Sequence, residues 1–305
     1  MPSYFFPILG IRPGFQESLW ESGEIAVRRR LFPVSTFDLA TLATKHTLHI
    51  PYQLMDVYLP ECQLELEVRG ASDFQVAADR VQIVRMLLYV HGVVPFLLPF
   101  CTTYSVNCYA GVNARDSATL RSKLPPEMEK GLTSEDSSLE AWPVDMSMSI
   151  IQMANRPNEM TKTMCESVVS EFSTWTNLEA KHPVLNLVRK MTNSAPTIPD
   201  AGSSILHMWQ AIESMFQTVN GELSFRLSLL ISQLCAGLAP PSGMYREAKA
   251  AYNVRSKIAH GGGPKMTGTE WAKAWSILIS CVAAIIQREE LPSDENLLEE
   301  LLDDS

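Results

Sequence analysis

The sequence predicts a mixed fold, in which an N-terminal α+β domain is followed by an all-α helical bundle. In the first half, Gln63–Val68 (QLELEV) alternates polar and apolar residues, which is typical of a half-buried strand. Phe74–Val90 carries valine and leucine at helical spacing and predicts a helix. After residue 150 the apolar residues recur at helical spacing in successive segments with short connections, which predicts a bundle.

Composition and the breaks at proline and glycine divide the chain into four parts. Residues 1–112 are predicted to form the α+β domain, whose role the sequence does not indicate. Residues 113–150 are polar and rich in serine and proline, which predicts a long loop or an inter-domain linker. Residues 151–288 form the predicted bundle, and residues 289–305 form an acidic tail.

The individual elements follow from periodicity and from proline and glycine breaks. Two further strands are predicted at Val93–Phe100 and Thr103–Tyr109. The predicted helices of the second half are Glu159–Trp175, His182–Met191, a segment from Ser203 or Ser204 to Asn220, Glu222–Leu238, Met244–Ala259 and Thr269–Gln287.

Charge is distributed unevenly along the chain. The net charge is −9, and the segment from Glu289 to Ser305 holds eight acidic residues and no basic one. The rest is therefore nearly neutral. The negative balance of the chain argues against a general nucleic-acid or membrane coat. The tail is predicted to be a solvated extension, helical around its leucines, with docking to a partner as the alternative.

Several classes of site and of location are excluded at this stage. The six cysteines lack the paired short spacing of zinc sites, and a reduced cytoplasmic protein is expected. His46 and His49 would lie on opposite faces of a strand without a third ligand, so no metal and no cofactor are predicted. The most apolar stretch is interrupted by Arg85, by His91 and by prolines, so no membrane span is predicted.

The stretch YNVRSKIAHG, Tyr252 to Gly261, concentrates unusual chemistry at a predicted helix end. Between Tyr245 and Lys273 there are six basic and two acidic residues, a local charge of +4. A positive cluster at a chain reversal favours phosphate binding.

This stretch is similar to the signature of HEPN domains, in particular of the ApeA-like HEPN group. In that signature an arginine is followed, after four to six residues, by a histidine at the end of the third helix of a four-helix bundle. The strings LHMWQAIESMF and GELSFRLSLLISQL resemble the group's first two conserved helices. The resemblance covers about Ser203–Gln287 and leaves the N-terminal half unassigned. Arg85 and His91 have the same spacing, but their apolar neighbours indicate a structural pair.

The resemblance implies a metal-independent endoribonuclease that acts as a homodimer on RNA, as a toxin or antiviral effector. His260 would be the general acid or base, and Arg255 would hold the scissile phosphate. The N-terminal half would sense a trigger or an inhibitor. The alternative is a catalytically inactive bundle that binds RNA or a nucleotide or serves dimerisation, since Ser256 stands where many nucleases of the family have Asn, Asp or His.

Four supporting residues each have two interpretations. Ser256 bonds a phosphate oxygen or, preferably, its own helix, and Lys257 steers RNA or is merely solvated. Tyr252 stacks a base or, preferably, packs in the core. In the family an acid on the first helix often pairs with the motif arginine, so Glu213 either orients Arg255 or is a surface charge.

Overall fold

The structure, a computed structural model, describes residues 2–126, 128–147, 149–153, 158–216, 222–261 and 267–303. The chain forms two compact units. The sheet unit comprises Met1–Val81, Phe96–Met148 and Pro157–Val169. The helical unit comprises Gln82–Pro95, Ser149–Arg156 and Ser170–Ser305. The mixed fold is thus confirmed, with the sheet in the N-terminal part and the long helices mostly in the C-terminal part.

The strands all belong to the sheet unit among the described residues. They are β1 (Ser3–Leu9), β2 (Arg12–Pro13), β3 (Leu19–Ser22), β4 (Ile25–Arg29), β5 (Thr47–Leu48), β6 (Cys62–Arg69), β7 (Phe100–Thr102), β8 (Glu140–Pro143) and β9 (Glu159–Met160).

Helices occur in both units. They are α1 (Thr36–Lys45), α2 (Tyr52–Tyr58), α3 (Phe74–Val90), α4 (Val112–Arg115), α5 (Ala118–Arg121), α6 (Lys162–Lys181), α7 (Val184–Ser194), α8 (Ala201–Ser214), α9 (Leu223–Leu234), α10 (Pro241–Ala259), α11 (Gly268–Arg288) and α12 (Asp294–Asp303). The unit boundaries fall within α3 and α6.

Seven strands form one sheet in the order β3-β4-β6-β1-β7-β8-β5. Neighbours are antiparallel except for β5 and β8, which run parallel. The strand predicted at Gln63–Val68 is confirmed as the centre of β6, but it is buried on both faces instead of one. Glu65 is fully buried, and its carboxylate is satisfied there because Ser105 Oγ and the Val106 amide donate to it at 2.7 and 2.9 Å. Those bonds replace the hydration that a polar face would otherwise require.

The two strands predicted after α3 are largely wrong. Of these residues Phe100–Thr102 forms a strand of the sheet, Leu97 makes one isolated antiparallel bridge to Leu9 of β1, and Val106–Cys108 forms a single 3₁₀ turn. Pro95 and Pro99 lack the N–H that a ladder needs, which shortens the usable strand.

The segment 113–150 is not the separate linker that its polarity suggested. It carries α5 and β8, and its Leu132 and Leu139 lie in a core cluster of the sheet unit. The buried Arg115 organises the segment by donating to the carbonyls of Cys108, Ala110, Met128 and Leu132. A buried cation that binds several carbonyls gives a polar sequence a defined fold, and composition alone does not reveal it.

The helical unit places α8 against α7, α10 and α11, and α9 against α10 and α12. Trp271 and Trp275 of α11 stack at 5.3 Å between ring centroids, and Trp271 Nε1 donates to Ser204 Oγ at 2.7 Å. Among the described helices, α11 is long and apolar enough to cross a membrane, but 61% of its apolar window is buried in the protein. It is the core helix of this unit.

Helix existence was predicted well in this half, and helix ends less well. Asp200 caps α8, because its carboxylate accepts from the Ser203 amide at 2.7 Å, three residues before the serines expected to do so. Helix α8 ends at Ser214, six residues before the predicted end at Asn220–Gly221, which itself lies outside the described residues. The acidic tail forms α12, with Leu297 buried, and is therefore more than a solvated extension.

Candidate functional site at the end of α10

Helix α10 begins after Pro240 and ends at the predicted place. His260 is its C-cap residue, and Gly261 follows in the left-handed conformation with φ of +70°. Glycine reaches this conformation at little cost and commonly ends helices. The rest of the glycine run, 262–263, and the proline after it lie outside the described part of the chain.

Arg255 forms an ion pair with Glu213 of α8. Its Nη2 lies 2.9 Å from Glu213 Oε1 and 3.0 Å from Oε2, and the two side chains are 27% and 30% exposed. The pairing expected for Glu213 is therefore present. Glu213 stands in the last turn of α8, where the helix dipole disfavours a carboxylate, so the guanidinium offsets that cost.

An aromatic pair lies one helical turn from this ion pair, toward the N-termini of α8 and α10. Trp209 of α8 meets Tyr252 of α10 edge to face, with 5.3 Å between ring centroids and 89° between planes. The two pairs follow each other in the same direction along both helices, so α8 and α10 run parallel here and present their C-terminal ends together. Trp209 was not among the predicted site residues, although its spacing of four residues from Glu213 places both on one helix face.

Tyr252 packs in the core, as the preferred interpretation had it. It is 7% exposed, and the Arg255 guanidinium lies 5.5 Å from its ring centroid in a cation–π contact. Burial raises the pKa of Tyr252, Arg255 opposes that rise, and Glu213 adds to it. The ring therefore supports the arginine from below and presents no stacking face to solvent.

The other motif residues do not join this cluster. His260 is exposed, and its backbone N–H donates to the Ser256 carbonyl at 3.2 Å. Neither the imidazole nor the Ser256 hydroxyl has a hydrogen-bonding partner among the described residues, so the bond expected from Ser256 to its own helix is not seen there. Lys257 is exposed. The rise from Arg255 to His260 is about 7.5 Å, which leaves both side chains reachable from the same end of the helix.

The positive charge is less concentrated than the count of +4 suggested. Glu213, outside the counted range, neutralises Arg255. Arg246 lies 14 residues before His260, about 21 Å along the helix. Lys265 lies outside the described residues. Lys257 is thus the exposed described cation nearest in sequence to His260.

The second Arg–His spacing, at Arg85 and His91, is structural as expected. Arg85 is 2% exposed, and His91 Nε2 lies 2.7 Å from Glu171 Oε2. Of the two N-terminal histidines, His46 contacts the Ser134 carbonyl and His49 stacks on Trp142. No group of three or more metal-ligating side chains occurs within the residues that the structure describes.

Comparison with known proteins adds no assignment to this site. No family model, no curated protein and no solved structure matches the chain. What the fold and the site define is therefore a mixed α and β protein with an arginine and a histidine at one end of a helical unit.

Proposed function

We propose that the helical unit is a HEPN-like bundle and that the protein is a metal-independent endoribonuclease of the toxin or antiviral type. The observation that carries the proposal is that the side chains of the two motif residues differ in their contacts. Arg255 is held in a fixed orientation by Glu213 and Tyr252, whereas His260 is exposed without a partner in the described residues. A fixed cation and a free titratable group are what phosphodiester cleavage requires.

In this proposal the RNA 2′-hydroxyl attacks the adjacent phosphorus, and the 5′-oxygen of the next nucleotide leaves. The proton of the attacking hydroxyl passes to a base, and an acid returns a proton to the leaving oxygen. His260 serves one of these two roles, because imidazole titrates near neutral pH. Arg255 stabilises the charge on the non-bridging oxygens with its guanidinium fork.

One motif supplies one imidazole, so the proposal includes a homodimer in which two copies of the motif supply acid and base. We place the protein in the cytoplasm, where its RNA substrate is found, and we assign to the sheet unit the sensing of a trigger or inhibitor. No metal or cofactor takes part in this scheme.

A second function is favoured by the same ion pair. Because Glu213 neutralises Arg255, the pair also suits an inactive bundle that binds RNA or a nucleotide, or that dimerises. This alternative predicts binding that weakens with salt, without turnover.

The test is cleavage of a labelled RNA by the full chain with a chelator present. We expect a product with a 2′,3′-cyclic phosphate, and we expect His260→Ala to reduce cleavage by about 10²-fold or more. His91→Ala is the matched control, because it removes the histidine of the other Arg–His spacing, and it should cleave normally. Binding of RNA by the wild type without cleavage would select the inactive bundle, and equal cleavage by His260→Ala and wild type would overturn the nuclease.

A further inference from the structure

Strand β3 forms one end of the seven-stranded sheet, so its outer edge has no strand partner among the described residues. Edge strands are commonly protected by charged side chains, especially lysine, by proline or by a bulge. The sequence LWES has no lysine or proline, the charge of its Glu21 is paired with Arg69, and its register with β4 is regular from Leu19 to Ser22. Leu19 is also 38% exposed. The edge is therefore able to accept a further strand.

The hydrogen-bonding direction of this edge follows from the hairpin. The Arg29 amide donates to the Ser18 carbonyl at 2.9 Å, so the main-chain groups of Ser18 face β4. In antiparallel pairs this orientation alternates from residue to residue. Trp20 and Ser22 consequently face β4 as well, and Leu19 and Glu21 direct their N–H and C=O groups outward.

A cavity of about 490 Å³ lies along this edge. All four residues of β3 line it, although their side chains alternate between the two faces of the sheet. A cavity that touches consecutive residues must follow the backbone edge and not one face. Its opposite wall is the first part of α6, through Lys162, Glu166 and Val169, which share one helix face by their spacing.

Charge indicates what kind of strand fits. Glu21 already pairs with Arg69 at 2.6 Å. Among the remaining charged lining residues, two exposed carboxylates, Glu17 and Glu166, stand against one ammonium, Lys162. Leu19 and Val169 supply apolar surface next to them. The slot is therefore complementary to an extended segment with a basic side chain beside an apolar one.

We propose that β3 and α6 form a peptide-binding slot, in which an extended, basic segment of a partner protein adds a strand to the sheet. The main-chain groups of Leu19 and Glu21 bind the peptide backbone, and Glu17 and Glu166 select lysine or arginine. Strand addition beside a helix derives affinity from the backbone and specificity from the side chains. The slot lies wholly in the sheet unit, and this proposal does not depend on the proposed nuclease activity.

The test uses the full chain and a phage-displayed library of random ten-residue peptides. We expect enrichment of peptides that carry Lys or Arg beside Val, Ile or Leu. A selected peptide, made synthetically, should slow hydrogen exchange at the Leu19 and Glu21 amides. Changing its basic residue to Glu should weaken binding at least about tenfold.

Two matched variants separate backbone pairing from charge. Glu21→Pro removes an outward N–H that the hairpin does not use, and proline is tolerated on such an edge. Glu21→Ala keeps the N–H and removes the carboxylate. We expect at least about tenfold weaker binding for Glu21→Pro than for Glu21→Ala, with the fold of both checked by circular dichroism. The proposal would be overturned if both variants bound the peptide equally or if no peptide were enriched on wild-type over Glu21→Pro protein. A preference for acidic peptides would also overturn it, as would a dimer that Glu21→Pro converts to monomers.

Discussion

Glu213 holds Arg255 through a single guanidinium nitrogen, Nη2, which lies 2.9 and 3.0 Å from its two carboxylate oxygens. The Nε group of Arg255 is buried and has no hydrogen-bond partner among the described residues, and the side chain is still 27% exposed. The guanidinium therefore keeps donor capacity after it has been positioned. Such partly exposed pairs contribute about 1 kcal/mol or less to stability, so the pair orients more than it stabilises.

We expect Glu213→Ala to lower RNA cleavage about tenfold while it lowers the free energy of unfolding by about 1 kcal/mol or less. The reason is that Arg255 loses its orientation but keeps its charge. The measurements are single-turnover cleavage and urea denaturation. Glu222→Ala, an exposed acid at the start of α9, is the control and should change neither. Full activity of Glu213→Ala would show that the pair has no positioning role.

Lys257 should contribute to RNA binding by charge alone. We expect Lys257→Ala to weaken RNA binding a few-fold and to reduce the slope of log affinity against log salt by about 1. Arg246→Ala removes a cation from the same helix about 21 Å before His260, and it should leave the slope unchanged. Fluorescence anisotropy at several salt concentrations measures both. Equal effects of the two substitutions would mean that RNA follows the whole helix and not its end.

The sequence predicted helices better than the elements that tertiary contacts create. The apolar periodicity of α8, α10 and α11 was sufficient to predict these helices, because each helix buries an apolar face. The Glu213–Arg255 contact was expected through the family resemblance, since no spacing rule links residues 42 apart. The fold of residues 113–150 was missed, because it depends on a buried guanidinium that binds distant carbonyls.

The same limit applies to β6. Alternation of glutamate with leucine predicts a polar face, and only the positions of Ser105 and Arg30 show that Glu65 is satisfied inside the protein. Sequence patterns register residue types, whereas burial of a charge depends on partners that are remote in the chain. Buried charged residues are therefore one place where prediction from the sequence fails in this protein, beside the strands after α3.

Arg115 provides a direct test of that explanation. We expect Arg115→Met to lower the stability of the sheet unit by about 3 kcal/mol or more, because it leaves buried carbonyls without donors. Arg121→Met is the control, since the Arg121 side chain is exposed and donates once, to the Glu129 carbonyl at 3.1 Å. It should cost about 0.5 kcal/mol or less. Urea denaturation, followed by hydrogen exchange in β6 and β8, locates the loss, and a similar cost for both variants would contradict the role of Arg115.

The acidic tail gives a prediction about regulation. Helix α12 packs on α9, and Leu301 lines a pocket together with Pro241 and Tyr245, near the start of α10. That pocket is at the far end of α10 from His260, so the tail does not cover the motif there. We expect deletion of residues 294–305 to leave RNA cleavage per folded molecule unchanged and to lower stability by exposing the surface that Leu297 covers. Raised activity of the truncated protein, measured against the folded fraction, would show that the tail restrains the site.

The attachment of α12 should depend on pH through Glu300. Arg288 contacts its two carboxylate oxygens at 2.9 and 3.0 Å, and this pairing lowers the pKa of Glu300. A lowered pKa in the folded state means that the pair stabilises the protein above the ordinary glutamate pKa of about 4.3 and that this stability is lost as pH falls through the lowered value. Because the Glu300 side chain is 40% exposed, the effect should be about 1 kcal/mol or less. Urea denaturation of the helical unit at pH 7 and pH 3 measures this effect. Glu300→Gln should lose less stability on acidification than wild type. Glu299→Gln, at an exposed neighbour, is the control and should behave as wild type. An acid-induced loss that is the same in Glu300→Gln and wild type would remove this pair as the source of the pH dependence.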